Sequence, residues 1–122
     1  MRDHESEEMY LETILVLKSE KPAVRSIDIA ERLGYAKSSV SRGVSLLQDR
    51  GYITVGSDGF IDFTEGGAKK AKGIYERHRI LTAVLMELGA SEALAEENAC
   101  RIEHVIDDEL FELIRAHVNR QK

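Results

Sequence analysis

The residues with the clearest capacity for chemistry lie near the C-terminal end of the sequence, where three different metal-binding side chains occur together. Cys100, Glu103 and His104 are spaced i, i+3 and i+4. In a helix this spacing puts all three side chains on one face, with about 5–6 Å between Cβ atoms. A thiolate, a carboxylate and an imidazole are each ligands of first-row transition metals. The pattern therefore predicts one side of a site for a divalent ion.

Three further donors occur on two other predicted helices. Met9 and Glu12 share a face of the first helix, and His78 falls on the apolar stripe of a long central helix. Taken singly, such a methionine, histidine or cysteine is more typical of core packing than of a metal site. Together, six donors on three helices favour a metal site, and mixed sulfur, nitrogen and oxygen ligands suit Fe(II), Mn(II) or another divalent ion.

The elements that must position these residues follow from hydrophobic periodicity and turn signals. We predict a first helix from Ser6, a second from near Ser26, a turn at Gly34 and a third helix that ends before Gly51. Two short strands, 52–55 and 60–63, then flank a glycine-containing turn and predict a hairpin. Three helices follow, with their predicted N-terminal caps at Thr64, Ser91 and Asp107.

This order of elements predicts a mainly α protein in two domains. Residues 1–63 read as a winged helix-turn-helix with a small β-hairpin wing, and residues 64–122 as a helical domain. The outer face of the third helix carries short polar and basic side chains that suit a DNA major groove. These DNA-binding candidates are Lys37, Ser38, Ser39, Ser41 and Arg42.

The composition excludes several classes of protein, and its charge distribution is compatible with a nucleic-acid partner but equally with chance clustering on a solvated surface. The 122 residues are 43% hydrophobic and 32% charged, which indicates a folded globular chain with a net charge of −5. Residues 18–79 carry +4, whereas residues 1–17 and 80–122 carry −4 and −5. No apolar run could span a bilayer, and the polar N-terminus does not read as a secretory signal. With a single cysteine, we expect a cytoplasmic protein.

Four segments resemble the diphtheria toxin repressor family, the iron- and manganese-dependent winged-helix repressors. These segments are Glu8–Ile14, Ile29–Leu33, Ser39–Ser41 and Ala99–Val105. The resemblance covers nearly the whole chain and, since the sequence ends at Lys122, points to the short two-domain form. It implies a homodimer that binds operator DNA when it is loaded with Fe(II) or Mn(II).

The resemblance also assigns ligands. It implies that Met9, Cys100, Glu103 and His104 are primary metal ligands and that His78 belongs to an ancillary site. Glu12 matches a carboxylate of the manganese branch, whereas Met9 and Cys100 match the iron branch. Thr82 and Glu96 stand where the iron branch has an ancillary glutamate and histidine, so Glu96 is a candidate ancillary ligand. The ligand set is therefore a hybrid of the two branches.

Two other functions are compatible with parts of the sequence. The first is a metal-independent winged-helix regulator that senses a small organic ligand or a protein partner, with Cys100 and His78 as core residues. The second is a small metalloenzyme that uses the cysteine, glutamate and histidine cluster with an open coordination position. The sequence has neither a His-Glu-x-x-His helix nor a nucleophile elbow, so we expect the protein not to be an enzyme.

Overall fold

The computed structural model describes residues 2–120, with side chains from Glu7 onward, and confirms the predicted class of a mainly α fold with one hairpin. The helices and strands follow one another as α1 (Arg2–Glu20), α2 (Ser26–Leu33), α3 (Lys37–Asp49), β1 (Ile53–Val55), β2 (Ile61–Phe63), α4 (Glu65–Glu87), α5 (Glu92–Ile102) and α6 (Asp108–Arg120). Two compact units divide within α4, between Lys72 and Gly73. The predicted start of α1 at Ser6 is wrong, because the helix already begins at Arg2.

The first unit contains a helix-turn-helix whose sharp turn depends on Gly34. This residue has a φ of +71°, and its N–H donates to the Ala30 carbonyl at 2.8 Å, which closes the end of α2. A side chain at that φ is strained, so glycine fits the position. Buried apolar residues of α1, α2 and α3 meet beneath the turn. They include Leu11, Ile14, Ile29, Val40 and Leu47.

The hairpin adds the predicted wing to this unit. Its strands are antiparallel, with Thr54 opposite Asp62, and the apolar Ile53 and Ile61 are buried while these two polar residues are exposed. The Ile61 N–H donates to the Val24 carbonyl at 2.8 Å. This bond fixes the wing to the segment that precedes α2.

The second unit is built around an apolar cluster of three helices. Leu81 of α4, Ala99 of α5 and Phe111 of α6 are buried and in contact. The predicted cap at Ser91 is confirmed, since its hydroxyl accepts the Leu94 N–H at 3.2 Å. Among the described residues, no helix combines the length and apolar character that a membrane crossing requires.

The start of α2 is stabilised by a charged hydrogen-bond network on Asp28. Its carboxylate accepts the Lys21 ammonium at 2.6 Å and the Arg25 backbone N–H at 2.8 Å. The bond from Lys21, followed by that from Arg25, holds the pKa of Asp28 below its usual value. The ionised form is therefore favoured by folding, and acid must remove this stabilisation.

We predict that Asp28→Asn lowers the free energy of unfolding by about 1 kcal/mol at neutral pH, the typical value of a helix cap. Because the folded-state pKa is lowered, the difference from wild type should be full above the ordinary carboxyl pKa near 4. It should disappear as the pH falls through the lower folded-state value. Urea unfolding across this pH range measures the effect, with Glu31→Gln on the same helix as control. A difference that persists unchanged in acid would contradict the assignment.

Candidate metal centre

The end of α5 and the turn that follows it determine the positions of the donors Cys100, Glu103 and His104. The helix ends at Ile102, so Glu103 and His104 lie in the following turn and not, as predicted, on one helix with Cys100. The Glu103 N–H still donates to the Ala99 carbonyl at 2.9 Å. This bond has the i to i−4 pattern of an α-helix, so the backbone stays nearly helical at Glu103. The three side chains therefore remain close to one another, as the spacing predicted.

Cys100, Glu103 and His104 converge as the spacing predicted. One ligand atom from each, a sulfur, an oxygen and a nitrogen, lies within 4.8 Å of the other two. The Glu103 side chain is fully buried, whereas Cys100 is exposed. His104 Nε2 lies 3.3 Å from Glu103 Oε1. The cluster thus contains one carboxylate that is buried and one thiol that solvent can reach.

His78 meets the same carboxylate from α4. Its Nδ1 lies 3.1 Å from Glu103 Oε2, and the imidazole is mostly buried. If Glu103 is ionised, this nitrogen must donate the hydrogen bond, and the ring lone pair suited to a metal is then on Nε2. Both oxygens of Glu103 therefore face imidazole nitrogens from different segments of the second unit.

The remaining metal candidates belong to α1 and α5. Met9 and Glu12 are half-buried on α1 in the first unit. Glu96 is exposed on α5 and lines an open depression of about 420 Å³ together with His78 and Thr82. The assignment of these residues as ligands stays a prediction.

The DNA-binding candidates lie on the predicted side of α3. Lys37, Ser38, Ser41 and Arg42 are exposed and Ser39 is half-buried. The apolar stripe of the same helix is buried, namely Val40, Val44 and Leu47. The helix thus presents a polar and basic face to solvent while its other face packs in the core.

Comparison with known proteins places the whole arrangement in one family. Residues 4–59 match the family model of the iron-dependent repressor N-terminal DNA-binding domain. Residues 64–122 match the model of the iron-dependent repressor metal-binding and dimerisation domain. The chain belongs to the iron-dependent repressor family. This family consists of metal-dependent transcriptional repressors, which confirms the function that the sequence resemblance implied.

Individual relatives agree with this membership. An HTH-type transcriptional regulator of Methanocaldococcus jannaschii is 32% identical over 97% of this chain and 96% of its own length. The transcriptional regulator MntR of Escherichia coli is 31% identical over 87% of this chain, which spans 68% of that protein. The iron-dependent repressor IdeR of Mycobacterium tuberculosis is 33% identical, and the chain spans 45% of it.

Solved structures show the same fold. A manganese-dependent transcriptional repressor in complex with manganese has a TM-score of 0.84 and 26% identity, over 93% of this chain and 52% of that chain. The manganese regulator SloR has a TM-score of 0.81 at 24% identity, over 93% of this chain and 53% of that chain. The chain therefore spans about half the length of these structural relatives.

The donor set of the second unit fits the divalent ion on which this repressor family depends. Burying an ionised carboxylate is expensive unless the charge is paired or binds a metal. Glu103 is fully buried beside two imidazole nitrogens, and the Cys100 sulfur lies within 4.8 Å of a Glu103 oxygen and a His104 nitrogen. One thiolate, one carboxylate and imidazole are the mixed donors that first-row divalent ions accept.

Sequence reasoning missed two residues that support these sites. Arg77 of α4 donates to the Glu103 backbone carbonyl at 3.3 Å, and its guanidinium lies 5.1 Å from the centre of the Phe111 ring. Tyr35, in the turn before α3, donates its hydroxyl to the Met9 sulfur at 3.4 Å. The only available signals were an arginine beside His78 and an aromatic residue directly after Gly34.

Proposed function

We propose that the protein is a homodimeric repressor that binds operator DNA when it holds Fe(II) or Mn(II), and so controls metal homeostasis. In this proposal residues 1–63 bind DNA, and residues 64–122 hold the metal and form the dimer. The protein acts on DNA in the cytoplasm and is not an enzyme. The buried Glu103 carboxylate, with imidazoles at 3.1 and 3.3 Å and the Cys100 thiol nearby, is the observation that carries the proposal.

The metal ligands are proposed from two kinds of support. Geometry supports Cys100, Glu103, His104 and His78, whose side chains cluster in the second unit. The sequence resemblance supports Met9 and Glu12 of α1, and Glu96 as an ancillary ligand. A bound cation supplies positive charge that offsets the carboxylates and the thiolate. The hydrogen bond from His78 orients Glu103 Oε2, and Arg77 holds the backbone carbonyl of the same residue.

The choice of ion follows from the donor types. The sulfur atoms of Cys100 and Met9 favour Fe(II) over Mn(II), because thiolate and thioether are softer donors than carboxylate. Glu12 and Glu103 supply the hard oxygens that suit Mn(II). We therefore propose Fe(II) as the first physiological ion and Mn(II) as the second, to be compared under anaerobic conditions in the same operator-binding assay.

We predict that Glu103→Gln lowers the affinity for Fe(II) or Mn(II) by about 100-fold or more, since it removes the central anionic donor. It should abolish metal-dependent operator binding while the circular dichroism spectrum stays that of wild type. Glu97→Gln is the matched control, because Glu97 is an exposed carboxylate on the preceding helix α5 and pairs with Arg101. Full operator binding by the wild type in a chelator would refute metal dependence.

Metal and DNA binding must be coupled in both directions. If metal tightens operator binding by a given factor, linkage requires that the operator tighten metal binding by the same factor. The polar face of α3 is the surface that we propose for the operator, with Arg42 as a contact to phosphate or a base edge. In a dimer, two such helices would be placed about 34 Å apart to reach successive major grooves.

We predict that Arg42→Ala weakens operator binding about tenfold and lowers the slope of the logarithmic salt dependence by about 1, as expected for one lost cationic contact. Fluorescence anisotropy at several salt concentrations measures both quantities. Arg101→Ala is the control, because Arg101 is a highly exposed arginine on α5. An unchanged affinity and slope would remove Arg42 from the operator contacts.

The surface of the second unit supports dimerisation through α6. Leu110 and Leu113, spaced i and i+3 on this helix, are 51% and 63% exposed. Exposed groups of large apolar side chains are typical of protein interfaces. We propose that this face of α6 contacts a second copy, in keeping with the dimerisation domain that residues 64–122 match.

We predict that the double substitution Leu110→Lys and Leu113→Lys converts the dimer to a monomer, because four lysines would then be buried in one symmetric interface. Sedimentation velocity measures the change. Leu46→Lys is the control, since Leu46 is also exposed but lies on α3. A variant that stays fully dimeric at low micromolar concentration would exclude this face.

A further inference from the structure

A hydrogen bond in the first unit connects the proposed metal ligand Met9 to the helix-turn-helix itself. The Tyr35 hydroxyl donates to the Met9 sulfur, with 3.4 Å between the two atoms. Met9 is half-buried on α1, whereas Tyr35 lies in the turn between α2 and α3. The contact therefore joins the first helix to the turn that sets the direction of the recognition helix α3.

The backbone of the turn fixes where the Tyr35 side chain can reach. Tyr35 follows Gly34, which has a φ of +71°. The N–H groups of both residues donate to the Ala30 carbonyl, at 2.8 Å from Gly34 and 3.2 Å from Tyr35. Since these bonds close the end of α2, the base of the Tyr35 side chain is held by the fold.

The ring of Tyr35 is held by the residue next to Met9. Tyr10 meets it edge to face, with 6.4 Å between ring centres and 79° between planes. Tyr10 is buried, and its ring fills the space above Gly43 of α3, where an added Cβ would lie only 2.1 Å from the ring. Burial raises the pKa of Tyr10 and the Tyr35 phenol acts in the same direction, while Arg42 lowers it. Tyr10 thus lies between the two candidate functional regions of this unit.

We propose that Tyr35 is a positioning residue that holds the Met9 thioether in one orientation for the metal. Because Tyr35 belongs to the turn of the helix-turn-helix, the position of this turn determines that orientation. A free methionine side chain is flexible, so a metal that binds its sulfur must first restrict several rotatable bonds. A thioether sulfur has two lone pairs; one accepts the Tyr35 hydroxyl and the other remains for a cation. The proposal rests on the proposed function in one respect, namely that Met9 is a ligand.

The test removes only the hydroxyl. Tyr35→Phe keeps the ring against Tyr10, so we expect an unchanged fold and a three- to tenfold weaker affinity for Fe(II), measured anaerobically by competition with a fluorescent chelator. In the background of Met9→Leu, which has no sulfur, the same substitution should have no further effect. Tyr52→Phe is the matched control, because the Tyr52 hydroxyl contacts Lys70 at 3.3 Å and not Met9.

A second measurement uses the metal-free protein. The sequence has three methionines, so a ¹³C-methyl label gives a spectrum in which Met9 can be assigned with Met9→Leu. We expect Tyr35→Phe to shift the Met9 methyl signal toward the position of a rotationally averaged methionine and to leave the Met86 signal unchanged. An unmoved Met9 signal would overturn the contact.

The other outcomes separate this proposal from the proposed function. Unchanged or tighter Fe(II) affinity in Tyr35→Phe would overturn positioning, since tighter binding means that the hydroxyl competes with the metal. A loss that is equally large in the Met9→Leu background would overturn it as well. A wild type whose operator binding ignores metal would instead overturn the proposed function, while the effect of Tyr35→Phe on the metal affinity and the methyl signal would still support positioning.

Discussion

A single buried carboxylate, that of Glu103, is the constraint on which the second unit depends. It lies completely out of contact with solvent, and an ionised group in such a place must be compensated by partners. His78 and His104 supply those partners, and Arg77 fixes the backbone of Glu103 by its carbonyl. Since α4 and the turn after α5 converge on this one residue, the packing of the unit and the chemistry of the candidate metal site depend on the same contacts.

The apolar cluster of the second unit stabilises the fold and also affects the electrostatic contacts of the Glu103 carboxylate. Leu81, Ala99 and Phe111 exclude water, which strengthens each electrostatic contact in their neighbourhood. The same environment makes Glu103 intolerant of a missing partner, because an uncompensated charge there destabilises the fold. A divalent cation is suited to this position, since it adds charge of the opposite sign next to a buried carboxylate.

Local patterns in the sequence predicted most of the fold, and they failed where geometry depends on distant residues. Gly34 and Ser91 act over a few positions, so the turn and the cap could be predicted. The start of α1 was placed too late because Ser6 is a good cap, although the acidic and basic residues before it also suit a first helical turn. The i, i+3 and i+4 spacing predicted the proximity of Cys100, Glu103 and His104 even though α5 ends before Glu103, because a tight turn keeps the same neighbours. No local pattern predicts the bonds from His78 to Glu103 or from Tyr35 to Met9, which join residues 25 and 26 positions apart.

In the first unit, contacts between α1 and α3 connect the segment around Met9 to the candidate DNA-binding helix. Two contacts tie α1 to α3: the Tyr10 ring lies against Gly43, and the buried Glu7 carboxylate pairs with Arg50 at 3.1 Å, directly after α3. These contacts are spread along α3, so α1 cannot shift alone without exposing Tyr10 or breaking the ion pair. A displacement of α1 at Met9 would therefore move α3 as well. Under the proposed function, regulation in this unit would move these helices as a rigid group and would not require α3 to bend or unfold.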